Sequence, residues 1–171
     1  MNVPRVCTIL LLAGSMAFAG SNTAVDSANA KSLSPVGKPA PGFSLPDLDQ
    51  KAFNLADRRG KVVVLVFWAT WCSPCVSELP AVGKLQKELA PEGVDVAAVA
   101  FDDPVKARNS LAKKKIDVWS LVDATGNVAS LYVARALPKT FLINRGGTVV
   151  SVLIGKLSES GLRDGIQAAR R

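Results

Sequence analysis

The 171-residue chain contains no histidine, and that absence removes several chemistries at once. Zinc takes about four ligands, usually a second cysteine pair or histidines. With three cysteines and no histidine, the chain lacks the donors. Covalent haem attachment needs a histidine directly after the second cysteine of a Cys-x-x-Cys pair. Val76 stands there instead. No stretch reaches the roughly 20 apolar residues that a membrane-spanning helix needs. Acidic residues are scarce, 14 against 21 lysines and arginines, which leaves a formal charge of +7. The cations are spread along the chain, with no basic patch interleaved with aromatics. That is a basic domain, and nucleic acid is not an expected partner. What remains is 49% apolar and 20% charged, enough for a packed core and unlike a disordered chain.

The first residues read as a leader. Arg5 gives a short positive start, residues 6–13 are uncharged and mostly apolar, and Ala17-Phe18-Ala19 is a small-x-small cleavage signal before Gly20. A secretory signal peptide over residues 1–19 is expected, with an uncleaved anchor as the alternative. A second cleavage site, before Lys31, is offered by Ala28-Asn29-Ala30. Cys7 has the wrong flanks for a lipoprotein and is expected to be discarded with the leader. Residues 21–41 are rich in Ser, Ala, Asn, Pro and Gly and read as a mobile linker. The division expected is leader 1–19, linker 20–36 and one folded domain 37–171.

Two short strands, 43–45 and 52–55, are expected around a turn at 46–50. Residues 61–68 carry Val62-Val63-Val64-Leu65-Val66-Phe67, a run that fits a strand buried on both faces. Residues 75–89 place Val76, Leu79, Val82, Leu85 and Leu89 at helical spacing, and Pro80 should kink that helix. Further strands are expected at 94–101, 118–122, 140–144 and 148–154, with helices at 104–115, 127–132 and from the Ser158 cap to 169. Strands alternating with helices, then a closing hairpin and helix, imply an α/β fold with a mixed sheet.

The chemistry concentrates at Trp71-Cys72-Ser73-Pro74-Cys75. After cleavage, Cys72 and Cys75 are the only cysteines left. A bridge closing so short a loop restricts the unfolded chain little, so chemistry explains the pair better than stability does. A peroxidatic site would want Thr or Ser three residues before the first cysteine and a proline further upstream; Ala69 and Leu65 stand there. The pair follows a buried strand and opens a helix, where unpaired N–H groups favour a thiolate on Cys72. Cys72, the N-terminal and more exposed member, is the expected nucleophile. Cys75, a turn on, is placed to resolve the mixed disulfide. Pro74 suits the first helical turn. Trp71 either shields the pair, guides a partner, or simply packs.

Phe67-Trp68-Ala69-Thr70-Trp71-Cys72-Ser73-Pro74-Cys75 closely resembles the thioredoxin superfamily, in particular its exported TlpA/ResA-like branch with an AhpC/TSA-Redoxin-like domain. Gly37-Lys38-Pro39-Ala40-Pro41-Gly42-Phe43-Ser44-Leu45, Gly60-Lys61-Val62-Val63-Val64 and Leu137-Pro138-Lys139-Thr140-Phe141-Leu142-Ile143-Asn144 extend the likeness over about residues 37–155. The resemblance implies a thioredoxin fold, a mixed central sheet flanked by helices, with an N-terminal β-hairpin extension. It implies that Pro138 is a cis-proline facing the cysteines. A proline there has no N–H and opens an edge where an extended substrate can lie, with Leu137 offering backbone groups. It also implies that Glu78, one turn after Cys75, modulates the cysteines and accepts the proton Cys75 must lose; the alternative is a solvated helix glutamate. Ala136, Leu137, Asn144 and Gln50 depart from residues frequent in that branch, and the first two line the substrate groove.

The expected activity is reduction of protein disulfides, with no cofactor and no metal. Strong oxidants carry a histidine between the cysteines, and this motif has none. The potential expected is roughly −200 to −270 mV, away from the roughly −120 mV of a strong oxidant. The resemblance suggests apocytochrome c as substrate, a DsbD/CcdA-type membrane protein as electron donor, a periplasmic location and a monomer. The alternatives are an exported oxidase that makes disulfides, or a binding or chaperone module with incidental cysteines.

Overall fold

The structure is a computed structural model that describes residues 35–171. The leader, both cleavage positions and Cys7 lie outside the described residues.

The chain order is β1 (Ser44–Pro46), β2 (Ala52–Asn54), β3 (Val62–Trp68), α1 (Ser73–Leu89), β4 (Val94–Ala100), α2 (Pro104–Lys114), β5 (Ser120–Val122), α3 (Asn127–Leu131), β6 (Lys139–Ile143), β7 (Val149–Ile154) and α4 (Glu159–Ala169). Five strands form one sheet in the order β5-β4-β3-β6-β7, while β1 and β2 form a separate antiparallel hairpin. β3 runs parallel to β4 and antiparallel to β6, so the sheet is mixed.

The continuous apolar run of β3 is explained by its central place. Alternate side chains of a strand point to opposite faces. Val62, Val64, Val66 and Trp68 join a core with Leu79, Val82 and Leu85 of α1, Leu111 of α2, and Leu162 and Ile166 of α4. Val63, Leu65 and Phe67 join a second core with Phe53, Val128, Tyr132 and Phe141. Both faces are covered, so no polar alternation is needed. Burying each large side chain contributes on the order of 2 kcal/mol.

Two expectations need correction. Residues 37–41 are not linker. The Gly37 amide bonds the Val149 carbonyl at 2.8 Å, and the Ala40 amide bonds the Gly147 carbonyl at 2.9 Å, which ties this segment to the closing hairpin. Residues 118 and 119 are not strand. The Gln86 side chain accepts from the Trp119 amide at 2.7 Å and donates to its carbonyl at 2.8 Å, while that carbonyl also accepts from the Ala98 amide of β4 at 3.3 Å.

Gly83 of α1 sits where the chain passes from α2 to β5. A Cβ there would overlap the Asp117 carbonyl oxygen, a backbone atom. Gly83→Ala should gain about 1 kcal/mol in helix propensity and lose more to overpacking, about 1–3 kcal/mol. Urea denaturation is expected to show net destabilisation; a more stable variant would mean that the segment around Asp117 yields without cost.

Candidate active site

Strand register gathers the sequence-designated residues at one end of the sheet. Phe67 of β3 pairs with Lys139 of β6, and Trp68 pairs with Ala100 of β4. The chain leaving β3, the chain leaving β4 and the chain entering β6 therefore share one edge. They carry Cys72, Asp102 and Pro138. Ligands of α/β sheets lie at the carboxyl ends of the parallel strands, which is this edge.

Cys72 is the N-cap of α1, with extended backbone (φ −93°, ψ 92°). Its Sγ accepts from the Cys75 amide at 3.3 Å, where a cap oxygen would ordinarily sit. Its own amide bonds the Ala69 carbonyl at 3.1 Å, and its carbonyl accepts from Val76 at 3.0 Å. The two cysteines are joined as a disulfide (S–S 2.03 Å, Cα–Cα 5.3 Å). Once reduced, the Cys72 sulfur lies at the positive end of a 17-residue helix, a setting that favours thiolate. Cys72 is 6% exposed and Cys75 1%, so the N-terminal sulfur is the more accessible.

A brace that the sequence did not reveal holds this loop. Both the amide (3.1 Å) and the hydroxyl of Thr70 donate to Asp102 Oδ2, and the Asp103 amide donates to Oδ1 at 2.8 Å. Burial pushes the Asp102 carboxyl up, but these bonds and nearby Lys106 outweigh it and hold the group below the usual carboxylate range. Asp102 lies 32 residues from Thr70, and no local pattern marks it.

Trp71 is 67% exposed. The packing reading is therefore excluded, and the indole is open to a partner. The Leu137–Pro138 peptide is cis. Pro138 is buried, and its carbonyl accepts from the Gly155 amide at 2.9 Å. Leu137 is half-buried and touches both cores.

Glu78 is only 1% exposed, which overturns the solvated alternative. Its Oε2 accepts from the Leu157 amide at 3.3 Å, while Oε1 is buried with no hydrogen-bond partner. Burial raises its carboxyl above the ordinary value, an effect the Leu157 bond and Lys156 only partly offset. Among the described residues, no group of three or more histidines, cysteines and carboxylates could hold a metal ion.

A mixed sheet, a helix capped by the first of two cysteines and a cis-proline at the same sheet edge define a thioredoxin-fold thiol–disulfide oxidoreductase. The chain belongs to the AhpC/TSA family, whose model matches residues 36–152. The thiol-disulfide oxidoreductase ResA of Bacillus subtilis (strain 168) is 36% identical over 129 residues, 75% of this chain and 72% of that protein. Among solved structures, a candidate thiol:disulfide interchange protein DsbE from Chlorobium tepidum superposes with a TM-score of 0.70 at 33% identity, covering 77% of this chain and 94% of its own. The pneumococcal exposed lipoprotein thioredoxin from Streptococcus pneumoniae strain TIGR4 gives 0.65 at 27% identity, covering 75% and 99%. The binding-module alternative is thereby set aside.

Proposed function

We propose that the protein is an exported reductant of protein disulfides in which Cys72 attacks and Cys75 resolves. One observation carries this reading: the Cys72 sulfur rests on the Cys75 amide at the head of α1, with the buried Glu78 carboxylate one turn beyond. The Cys72 thiolate attacks one sulfur of the substrate disulfide and expels the other as a thiolate. The Cys75 thiol gives its proton to Glu78 and attacks the Cys72 sulfur. The second substrate sulfur leaves, and the enzyme ends as the Cys72–Cys75 disulfide. Two electrons have passed to the substrate. A dithiol donor must return them, and a DsbD/CcdA-type membrane protein has the required chemistry.

Leu137 and Pro138 supply the edge along which an extended substrate lies, and Trp71 meets it from the cysteine side. Apocytochrome c is the substrate this family likeness favours. The leader pattern supports export to the periplasm, as does likeness to a thioredoxin described as an exposed lipoprotein. Among the described residues no helix is long and apolar enough to cross a membrane.

Equilibration of the purified protein in glutathione and dithiothreitol buffers tests the direction of electron flow. The expected potential is roughly −200 to −270 mV; a value near about −120 mV would make it an oxidase.

A further inference from the structure

A groove of about 390 Å³ opens beside the cysteine loop. Thr70 and Ser73 form its near end, Ser77 and Pro80 of α1 one wall, and Lys114 and Ile116 the other. Its course follows from the close approach at Gly83, which lays the chain leaving α2 along α1. From Ser73 to Pro80 the helix rises about 10 Å. An extended polypeptide advances about 3.3 Å per residue, so roughly three residues span the groove.

The lining is not uniform in charge. At the near end, Thr70 is bonded to the Asp102 carboxylate. On the wall facing α1 stands Lys114, the middle one of three consecutive exposed lysines, Lys113, Lys114 and Lys115. None of the three has an ion-pair partner among the described residues, and the neighbouring Asp117 is taken by Lys87. A cation near a helix C-terminus complements the helix dipole. That accounts for charge at the end of α2, but not for a groove leading to it from the nucleophile.

We infer that this groove seats the polypeptide flanking the substrate's reactive disulfide, and that Lys114 selects an acidic residue three to four positions from the reactive cysteine. Lys113 and Lys115 add to the field. The inference rests on the disulfide-exchange reading, and it names a substrate class for it: protein disulfides with a carboxylate at that offset.

The test uses three synthetic peptide disulfides that differ only in the fourth residue from the attacked cysteine, Asp, Asn or Lys. Each is reduced in a single turnover by the pre-reduced protein. Apparent second-order rates should fall in the order Asp, Asn, Lys, by roughly two- to fivefold per step at low salt. The spread should shrink as ionic strength approaches about 1 M. Lys114→Gln should compress the order and Lys114→Glu reverse it. Both variants should keep the wild-type potential and the wild-type rate on uncharged hydroxyethyl disulfide. The same order in wild type and in Lys114→Glu, or three equal rates in wild type, overturns the inference. If wild type fails to reduce hydroxyethyl disulfide as well, the exchange reading itself falls, and the docking inference with it.

Discussion

Cys75→Ser should stall the protein halfway through its reaction. Cys72 keeps its place at the head of α1 and still attacks, so each encounter ends in a mixed disulfide that nothing resolves. In wild type the resolving sulfur belongs to the same short loop, with Cα atoms 5.3 Å apart. Well-oriented intramolecular attack of this kind has effective molarities of about 10⁵ M or more, far above any external thiol. Turnover should therefore fall by on the order of 10³ or more. Covalent adducts should appear on non-reducing gels and vanish with dithiothreitol. Cys72→Ser should lose turnover at least as completely and trap nothing, because Cys75, at 1% exposure, cannot reach a protein disulfide. Both variants should fold, since the cores on either side of β3 do not depend on the bridge. Adducts on Cys72→Ser with none on Cys75→Ser would reverse the two roles.

What could be read from the sequence was whatever depends on neighbours along the chain. β3 announced itself through six consecutive apolar residues, and α1 through the spacing of Val76, Leu79, Val82 and Leu85. The cysteine pair was legible because its chemistry needs only a loop and a helix start. Pro138 needed the family likeness, because nothing local distinguishes it from a strand-edge proline. The misses are long-range. Residues 118 and 119 look like strand, but the Trp119 amide is taken by the side chain of Gln86, 33 residues away. The Thr70–Asp102 brace joins two loops that meet only because β3 and β4 are parallel neighbours. Glu78, like Pro138, needed the family likeness, because its burial is tertiary; Leu157, 79 residues away, supplies its hydrogen bond. By residue type Trp71 was open between packing and meeting a partner; only the fold shows that it is exposed, as Ser73 and Pro74 are.

Glu78→Gln keeps the side chain's shape and removes its charge, and two effects of opposite kind are expected. The first is on stability. Glu78's folded pKa is raised above its ordinary 4.5, chiefly by burial. Between the two values the native state holds more protons than the unfolded chain, so stability falls as pH climbs through that window. Below it the group is neutral in both states; above it the full cost of a buried carboxylate is present. The stability of Glu78→Gln relative to wild type should therefore rise across the window and level off above it, by on the order of 1 kcal/mol. The second effect is on catalysis. A carboxylate one turn from Cys75 disfavours a nearby thiolate by its charge, and with the cysteines it should titrate as a coupled set. Without it, the apparent thiol pKa of Cys72 should fall. Release of reduced substrate should nevertheless slow by on the order of 10², the contribution of a positioned general base, because Cys75 has lost its proton acceptor. Alkylation rate against pH reads the first change, and turnover on a disulfide substrate reads the second. A purely structural glutamate would move stability alone. If both kinetic profiles match wild type, the unpartnered Oε1 takes no proton from Cys75, and the relay runs through another group.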